Sequence, residues 1–560
     1  MSDRQSHIEF KKVGANLDKE HPVFNLIFLV ELFFLFFDEE EIKLNKNNKK
    51  SCIYTVKELL TFVLWGRENN KLSSRELADW CLNNDETCKL VLNSKKPSKT
   101  TINNFMNYYA FLFDLFDQFL IDLAMSLGLI DGKILYGDGT ILKAWCNTFK
   151  KMYPYEIEYL KEFLLSNSSN EELWTKLKRY YVHEDDDEKL TEELNELLNE
   201  LNYNLNSHGI HLLKLSLESS KDFNKVLERI KHMEDNIDGE NSVSIIDPES
   251  RHMVDKDGKM GLNYNYQTVT DNKYGFRIVH YLTNHSNDSN EIYHMVELTT
   301  ERLRTDNYIL CVDYGYWNPE QLKEIYKTNT RVVIPDKSDA TRKKKTIKNK
   351  NRSGKRQKII DSNKEAKNKS NNKPKRIKKY EFKYDGKNDT FECPKTKKLL
   401  KVVDIVKISG VDKKKYSCDY CPKCEFKSEC TSQHKRVFYE HHDKDLESIR
   451  RLYYSKKGQE IYYQRGHYAE TSFAVLLEIR NFRGIKTRSL TKANNELTIW
   501  EIHHNIKKFQ KHTSNKFLKL LYNKSKNEKE TDENIDLSFI KKIKEKLIIR
   551  KHVIIGIRDD

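Results

Sequence analysis

No apolar run in this chain is long enough to cross a bilayer. The longest, Val23 to Phe37, is broken by Asn25 and Glu31 and is too short for a spanning helix, so it reads as a core helix. The residues before it mix both charge signs and lack a cleavage-site pattern, which argues against a signal peptide and for a cytoplasmic protein with no membrane partner. Cysteine is thinly spread over most of the length. Cys52, Cys81, Cys88, Cys146 and Cys311 sit among apolar neighbours and read as small buried side chains, not as a disulfide framework. Acids are almost missing from one stretch: between Lys337 and Lys379, 19 lysines and arginines face only Asp339, Asp361 and Glu365. The whole of the net charge of +15 therefore sits in a segment too polar to bury a core, and the rest of the chain is close to neutral. It reads as a disordered linker, either a solvated tether or an arm that touches DNA phosphates.

What is present suits several packed domains: 560 residues, 33% charged and 38% apolar. Residues 22–128 read as helical. Leu59, Leu60, Phe62, Val63 and Leu64 mark a buried helix, and Ser73 or Ser74 opens another. A further start lies at Pro97 to Ile102, with Phe105, Tyr108, Tyr109 and Leu112 following at helical spacing. This pair of helices is consistent with a helix-turn-helix that enters a DNA groove or with a plain helical bundle.

Ile134, Leu135 and Tyr136 then form a short apolar run that stops at Gly137-Asp138-Gly139-Thr140, so Asp138 is expected where a buried strand ends. Leu190, Leu194, Leu197, Leu198 and Leu201 recur at helical spacing, making 151–242 an acidic helical insertion. Strands return at Leu262 to Thr270 and Phe276 to Leu282. A helix follows from about Ser289, then a strand from Tyr308 to Val312 that ends at Asp313. Asn318-Pro319-Glu320 starts another helix, and Arg331 to Pro335 is another strand. A three-stranded meander followed by parallel crossovers is the framework of an RNase H-like mixed sheet. In such a sheet the strands bearing Asp138 and Asp313 lie side by side with both acids at one end. Their mutual repulsion would be relieved by a divalent cation. The third acid is Glu470, placed near the start of a helix by Ala469, Phe473, Leu476 and Leu477, with Glu478 second in line. Trp500, Ile502 and Ile506 extend a helix on which His503 and His504 read as surface or groove residues. Cys393, Cys418, Cys421, Cys424 and Cys430 cluster within 38 residues, which suggests metal before disulfide. Cys393, Cys421, Cys424 and Cys430 supply four thiolates for a closed structural Zn2+ site, with Cys418 able to replace Cys393 or Cys421; unligated reduced thiols are the other reading.

With these residues in view, the chain resembles the DDE transposases of prokaryotic insertion sequences, in the subgroup with an N-terminal helical domain and a cysteine-bearing, zinc ribbon-like insertion. The resemblance rests on Ser73 to Leu77 with Pro97 to Thr101, on Gly137 to Thr140 with Lys143, Ala144 and Asn147, on Gly261 to Asp271 with Asp313 to Tyr316, and on Arg465 to Glu470 with Phe473, Arg483 to Ile485, His504 and Asn505. It implies metal-dependent strand cleavage and strand transfer at element ends, with Asp138, Asp313 and Glu470 as catalytic ligands of two Mg2+ or Mn2+ ions. It also implies double-stranded DNA as partner, a homodimer and a nucleoid-associated place in the cytoplasm. DNA contacts are expected from Arg75, Lys99, Thr100, Arg465, Arg480, Arg483 and Lys486. Leu477 stands where relatives carry lysine, which motivates the alternative of an inactive or domesticated DNA-binding protein. The expected layout is an N-terminal helical domain (1–128), an RNase H-like domain (129–150, 243–336 and 435–510), the acidic insertion (151–242), the basic linker (337–380), the cysteine-rich insertion (381–434) and a helical tail (511–560).

Overall fold

The computed structural model describes residues 17–35, 53–146, 150–169, 223–335, 376–476 and 482–526, apart from single positions and short gaps inside these stretches. The insertion leucines from Leu190 to Leu201, the basic segment from Lys337 to Lys375, and Cys52, Asn147, Leu477, Glu478, Arg480 and Arg483 lie outside the described residues.

The first helices begin where their caps predict. They are α1 (Pro22–Phe34), α2 (Val56–Glu68), α3 (Ser74–Leu82), α4 (Glu86–Leu92), α5 (Lys99–Tyr108) and α6 (Ala110–Ser126). Thr55 and Glu58 form a reciprocal capping box at α2, and Ser73 and Glu76 form another at α3. The helix pair expected around residues 73 and 98 has a third helix, α4, between its members. Helix α1 is buried on nearly every side, as its apolar run requires.

Strand β1 (Ile134–Lys143) is followed by β2 (Lys151–Met152), α7 (Pro154–Ser166), α8 (Phe223–Glu234), β3 (Val243–Ser244) and β4 (Arg251–Val254). Then come β5 (Met260–Asp271), β6 (Arg277–Thr283), α9 (Ile292–Leu303), β7 (Ile309–Cys311), α10 (Pro319–Tyr326) and β8 (Arg331–Val333). In the main sheet β5 lies antiparallel to β1 and carries β4 and β6 in succession along its other edge. On the far side of β1, strands β7 and β8 run parallel to it, joined through α9 and α10. The result is a mixed α/β sheet compatible with an RNase H-like arrangement.

One expectation is corrected here. Asp138 does not end β1, because the strand continues to Lys143 against β5, pairing Asp138 with Thr268. What ends near Asp138 is the neighbouring strand: β7 pairs with β1 only over Ile134 to Tyr136. The sheet therefore opens beside Asp138 although its own strand does not stop.

A second sheet is antiparallel throughout, in the order β13, β12, β11, β10, β9. Its strands are β9 (Lys383–Asp385), β10 (Thr390–Glu392), β11 (Leu399–Ile408), β12 (Val411–Ser417) and β13 (Val437–His441), with the short helix α11 (Lys427–Cys430) between the last two. The chain then returns to the main sheet through α12 (Lys444–Tyr454), α13 (Lys456–Arg465), a π-helical turn (Gly466–Glu470) and α14 (Thr471–Ala474). It ends, among the described residues, in α15 (Leu490–His512) and α16 (Asn515–Lys526).

Helix α15 binds the parts together. Ile499, Ile502, Ile506 and Phe509 share one apolar core with α1 to α6 and with the α9 side of the sheet. His503 and His504 are buried in this seam, not on a surface: His503 pairs with Glu68, and His504 meets the Gly275 carbonyl at 2.9 Å. Burial here is imposed by packing on both sides of the helix, which helical periodicity around a polar pair does not reveal. A polar network runs through the same seam. Arg277 donates to Tyr266 Oη at 2.7 Å and lies 3.4 Å from Glu501, while Tyr266 donates to Glu501 at 2.6 Å. Arg302 pairs with Asp117 of α6. These ionic groups leave water only because each is matched.

Candidate functional site

Tyr136 and Cys311 are the last paired residues of β1 and β7, and Asp138 and Asp313 each follow two positions later. Parallel strands in register thus bring both carboxylates to the same edge. Asp138 is mostly shielded and Asp313 is more open, with 13% and 43% of their side chains exposed. Asp138 Oδ1 accepts from the Gly139 backbone N–H at 3.0 Å, and Asp313 Oδ1 accepts from Gly315 at 2.6 Å as the cap of the 3-10 turn Tyr314–Tyr316.

The helical segment carrying Glu470 is docked over this edge. Tyr468 stacks on Tyr136 with ring centroids 5.0 Å apart, and Gln464 accepts from the Tyr136 hydroxyl at 3.2 Å. Ala469 is buried against Tyr136 and Cys311. Arg465 donates to Asp138 Oδ1 at 2.6 Å and stands 3.9 Å from Asp313 Oδ2. Burial pulls the Arg465 pKa down, but Asp138 and Asp313 outweigh it and raise it. Glu470 closes the π-helical turn, a helical irregularity common at functional sites, immediately before α14 starts at Thr471. Its side chain lies outside the described residues.

A third carboxylate, which the sequence reading passed over, stands beside Asp313. Asp288 opens a 3-10 turn before α9, and its Oδ1 accepts from Asn265 at 2.8 Å and Gln267 at 2.6 Å. Its pKa is raised by burial, against those two hydrogen bonds, with Asp313 and Glu291 adding to the rise. The signal that could have found it is polar alternation: Asn263, Asn265 and Gln267 occupy every second place on a strand that is buried throughout this stretch.

A Cβ on Gly315 would come within 2.8 Å of Asp313 Oδ1 and 3.4 Å of Asp288 Oδ2, so the glycine lets both carboxylates stand close to the turn. The donors are hard carboxylate oxygens, which suit Mg2+ or Mn2+, and the Arg465 guanidinium already meets two of them with positive charge. Among the described residues, no three His, Cys, Asp or Glu side chains are gathered closely enough to hold a metal ion as they stand.

The N-terminal expectations meet elsewhere. Ser73, Ser74 and Arg75 at the start of α3 and Lys99, Thr100 and Asn103 in the first turns of α5 line one surface hollow. Arg75, Lys99 and Thr100 are all exposed there, and so is Lys486, whose backbone N–H donates to Glu496. Cys393, Cys418, Cys421, Cys424 and Cys430 line another hollow in the small sheet. Burial raises the Cys421 and Cys430 thiols, and neighbouring cysteines add to both rises. All nine described cysteines are free thiols.

The fold and this edge define a class: a mixed α/β protein with paired acids where parallel strands open. Comparison with known families adds one match. Residues 392–510 match the family model of a transposase DDE domain, which supports a DDE-superfamily transposase. The match spans the segment bearing the cysteines, Arg465 and Glu470, and stops short of the strands bearing Asp138 and Asp313. No curated protein and no solved structure matches the chain. Among the described residues, no helix is long and apolar enough to cross a membrane.

Proposed function

We propose that this protein is a DNA transposase that cleaves and joins DNA strands at the ends of an insertion sequence. The observation that carries the reading is the convergence of Asp138 and Asp313 under the segment that bears Glu470; of the three, only that segment lies in the part of the chain matched by the DDE domain. Asp138, Asp313 and Glu470 would hold two Mg2+ or Mn2+ ions, whose chemistry is to activate the attacking oxygen and stabilise the leaving one. The protein's own part is to hold the acids in register, shield Asp138 and balance their charge with Arg465. No covalent link between protein and DNA is expected, because the acids serve as ligands and not as nucleophiles.

Arg75, Lys99 and Thr100 form a polar, basic hollow suited to DNA phosphates, and Lys486 offers another contact. Arg480 and Arg483 belong to the same proposal. Cys393, Cys421, Cys424 and Cys430 supply thiolates for a structural zinc ion that would stiffen the small sheet. A homodimer would bring two ends together. The reading as an inactive or domesticated DNA-binding protein is not favoured by the match.

The test is cleavage of labelled element-end fragments by purified protein with Mg2+ and with chelator. Asp138→Ala, Asp313→Ala and Glu470→Ala should each abolish cleavage while end binding persists. Full cleavage by Asp313→Ala removes the assignment. Cutting without strand-transfer products would instead leave a nuclease.

A further inference from the structure

Beneath the two aspartates lies a buried amide that the reaction scheme above does not use. Gln267 is fully buried on β5 and pairs directly with Gly139, the residue after Asp138. Its Nε2 donates to Asp288 Oδ1 at 2.6 Å and to Asn265 Oδ1 at 2.9 Å. Its Oε1 accepts from the hydroxyl of Tyr316, itself fully buried at the end of the turn that Asp313 caps. One side chain is thereby tied to the strand of Asp138, the turn of Asp313 and the loop of Asp288.

Gly139 makes this possible. A Cβ there would fall 2.6 Å from Gln267 Nε2, 2.8 Å from Asp288 Oδ1 and 3.1 Å from Tyr316 Oη. The amide, the carboxylate and the phenol therefore converge on Gly139, one of two places in β1 where a side chain is missing. An amide suits the centre of such a network, because it donates to the acid and accepts from the phenol at once. An apolar residue of similar size would fill the space and leave three buried polar groups short of a partner.

We propose that Gln267 is a positioning residue for the cation site: by holding Asp288 and Tyr316 against Gly139 it fixes how Asp313 stands relative to Asp138. The inference rests on the reading that Asp138 and Asp313 bind divalent cations. Residues that orient ligands from behind typically change metal affinity or activity by about 10–100-fold when removed.

Mn2+ binding to the purified full chain, measured by calorimetry, tests it alongside melting temperature. Gln267→Met should weaken Mn2+ binding by about 10–100-fold. Tyr316→Phe, which removes only the hydroxyl, should weaken it by about 3–10-fold with the ring still packed. Cleavage by either variant should recover as the metal concentration is raised, which a purely structural defect would not produce. Wild-type affinity in a folded Gln267→Met protein overturns the proposal. If that variant does not fold, unchanged affinity in Tyr316→Phe overturns it equally. Asp138→Asn separates the two levels. If wild-type protein shows no Mn2+ binding that this change removes, the reading of the site fails and the positioning role with it. If Asp138→Asn loses binding while Gln267→Met keeps it, only the positioning role fails.

Discussion

Arg465 and Asp138, 327 residues apart in the chain, meet at 2.6 Å, and the same guanidinium lies 3.9 Å from Asp313. One cation from the helix preceding Glu470 thus spans two acids that would otherwise face each other uncompensated. Arg465→Met should lower the stability of metal-free protein by about 3–5 kcal/mol, the usual cost of breaking a shielded ion pair, tempered by the partial exposure of Asp313. Added Mg2+ should then raise the melting temperature of the variant more than that of wild type. Equal responses to Mg2+ would count against a shared role for the guanidinium and the metal.

The seam between the N-terminal helices and the sheet gives a second expectation. Arg277 and Glu501 are both fully buried, so Arg277→Met leaves Glu501 and Tyr266 without their cation. Urea unfolding should show a loss of about 3–5 kcal/mol. Adding Glu501→Gln should restore part of it, since the stranded charge is then gone. A double variant as unstable as the sum of the singles would contradict this.

Asp271 provides a pH dependence. Burial pushes its carboxyl up to about 6, against the backbone N–H groups of Lys273 and Gly132 that pull it down. Because the folded value lies above the ordinary 3.8, the folded state holds its proton longer than the unfolded one. The associated stability is present below the ordinary value and is lost as pH rises to about 6. The stability of Asp271→Asn relative to wild type should therefore improve between those limits, by up to about 3 kcal/mol. A pH-independent difference would show that the carboxyl is not displaced.

The basic hollow of α3 and α5 makes a prediction about salt. If Arg75 and Lys99 touch phosphate, Arg75→Ala and Lys99→Ala should each reduce the slope of log affinity against log salt by about one. Fluorescence anisotropy with end fragments over a range of salt concentrations reads this directly. Two unchanged slopes would remove the hollow from the DNA interface.

The cysteine hollow predicts metal content. Purified protein should carry one zinc per chain, and Cys421→Ser should lose it and loosen the small sheet, because a bound ion supplies folding energy there. Elemental analysis with thiol titration checks this. No zinc in freshly purified protein, with all five cysteines of the hollow titrating as thiols, would leave reduced cysteines as the answer.

Local chemistry was open to reading from residues alone. The caps at Ser73, Ser98 and Asn318, the apolar run before Asp313 and the order of strands and helices from β5 to β8 follow from propensities that act over a few residues, whereas β2, β3 and β4 were not anticipated. Also legible was the placement of Asp138 and Asp313 at the same edge, two residues past the last paired positions of neighbouring parallel strands. Tertiary structure alone decided that β1 runs past Asp138, that Arg465 turns onto the acids, that His503 and His504 face inward, and that Gln267 reaches Asp288 and Tyr316. The reason is physical. Sequence periodicity tells which side of an element avoids water, but not which distant element covers it. A buried amide or guanidinium takes its role from the partners that arrive, and those come from hundreds of residues away.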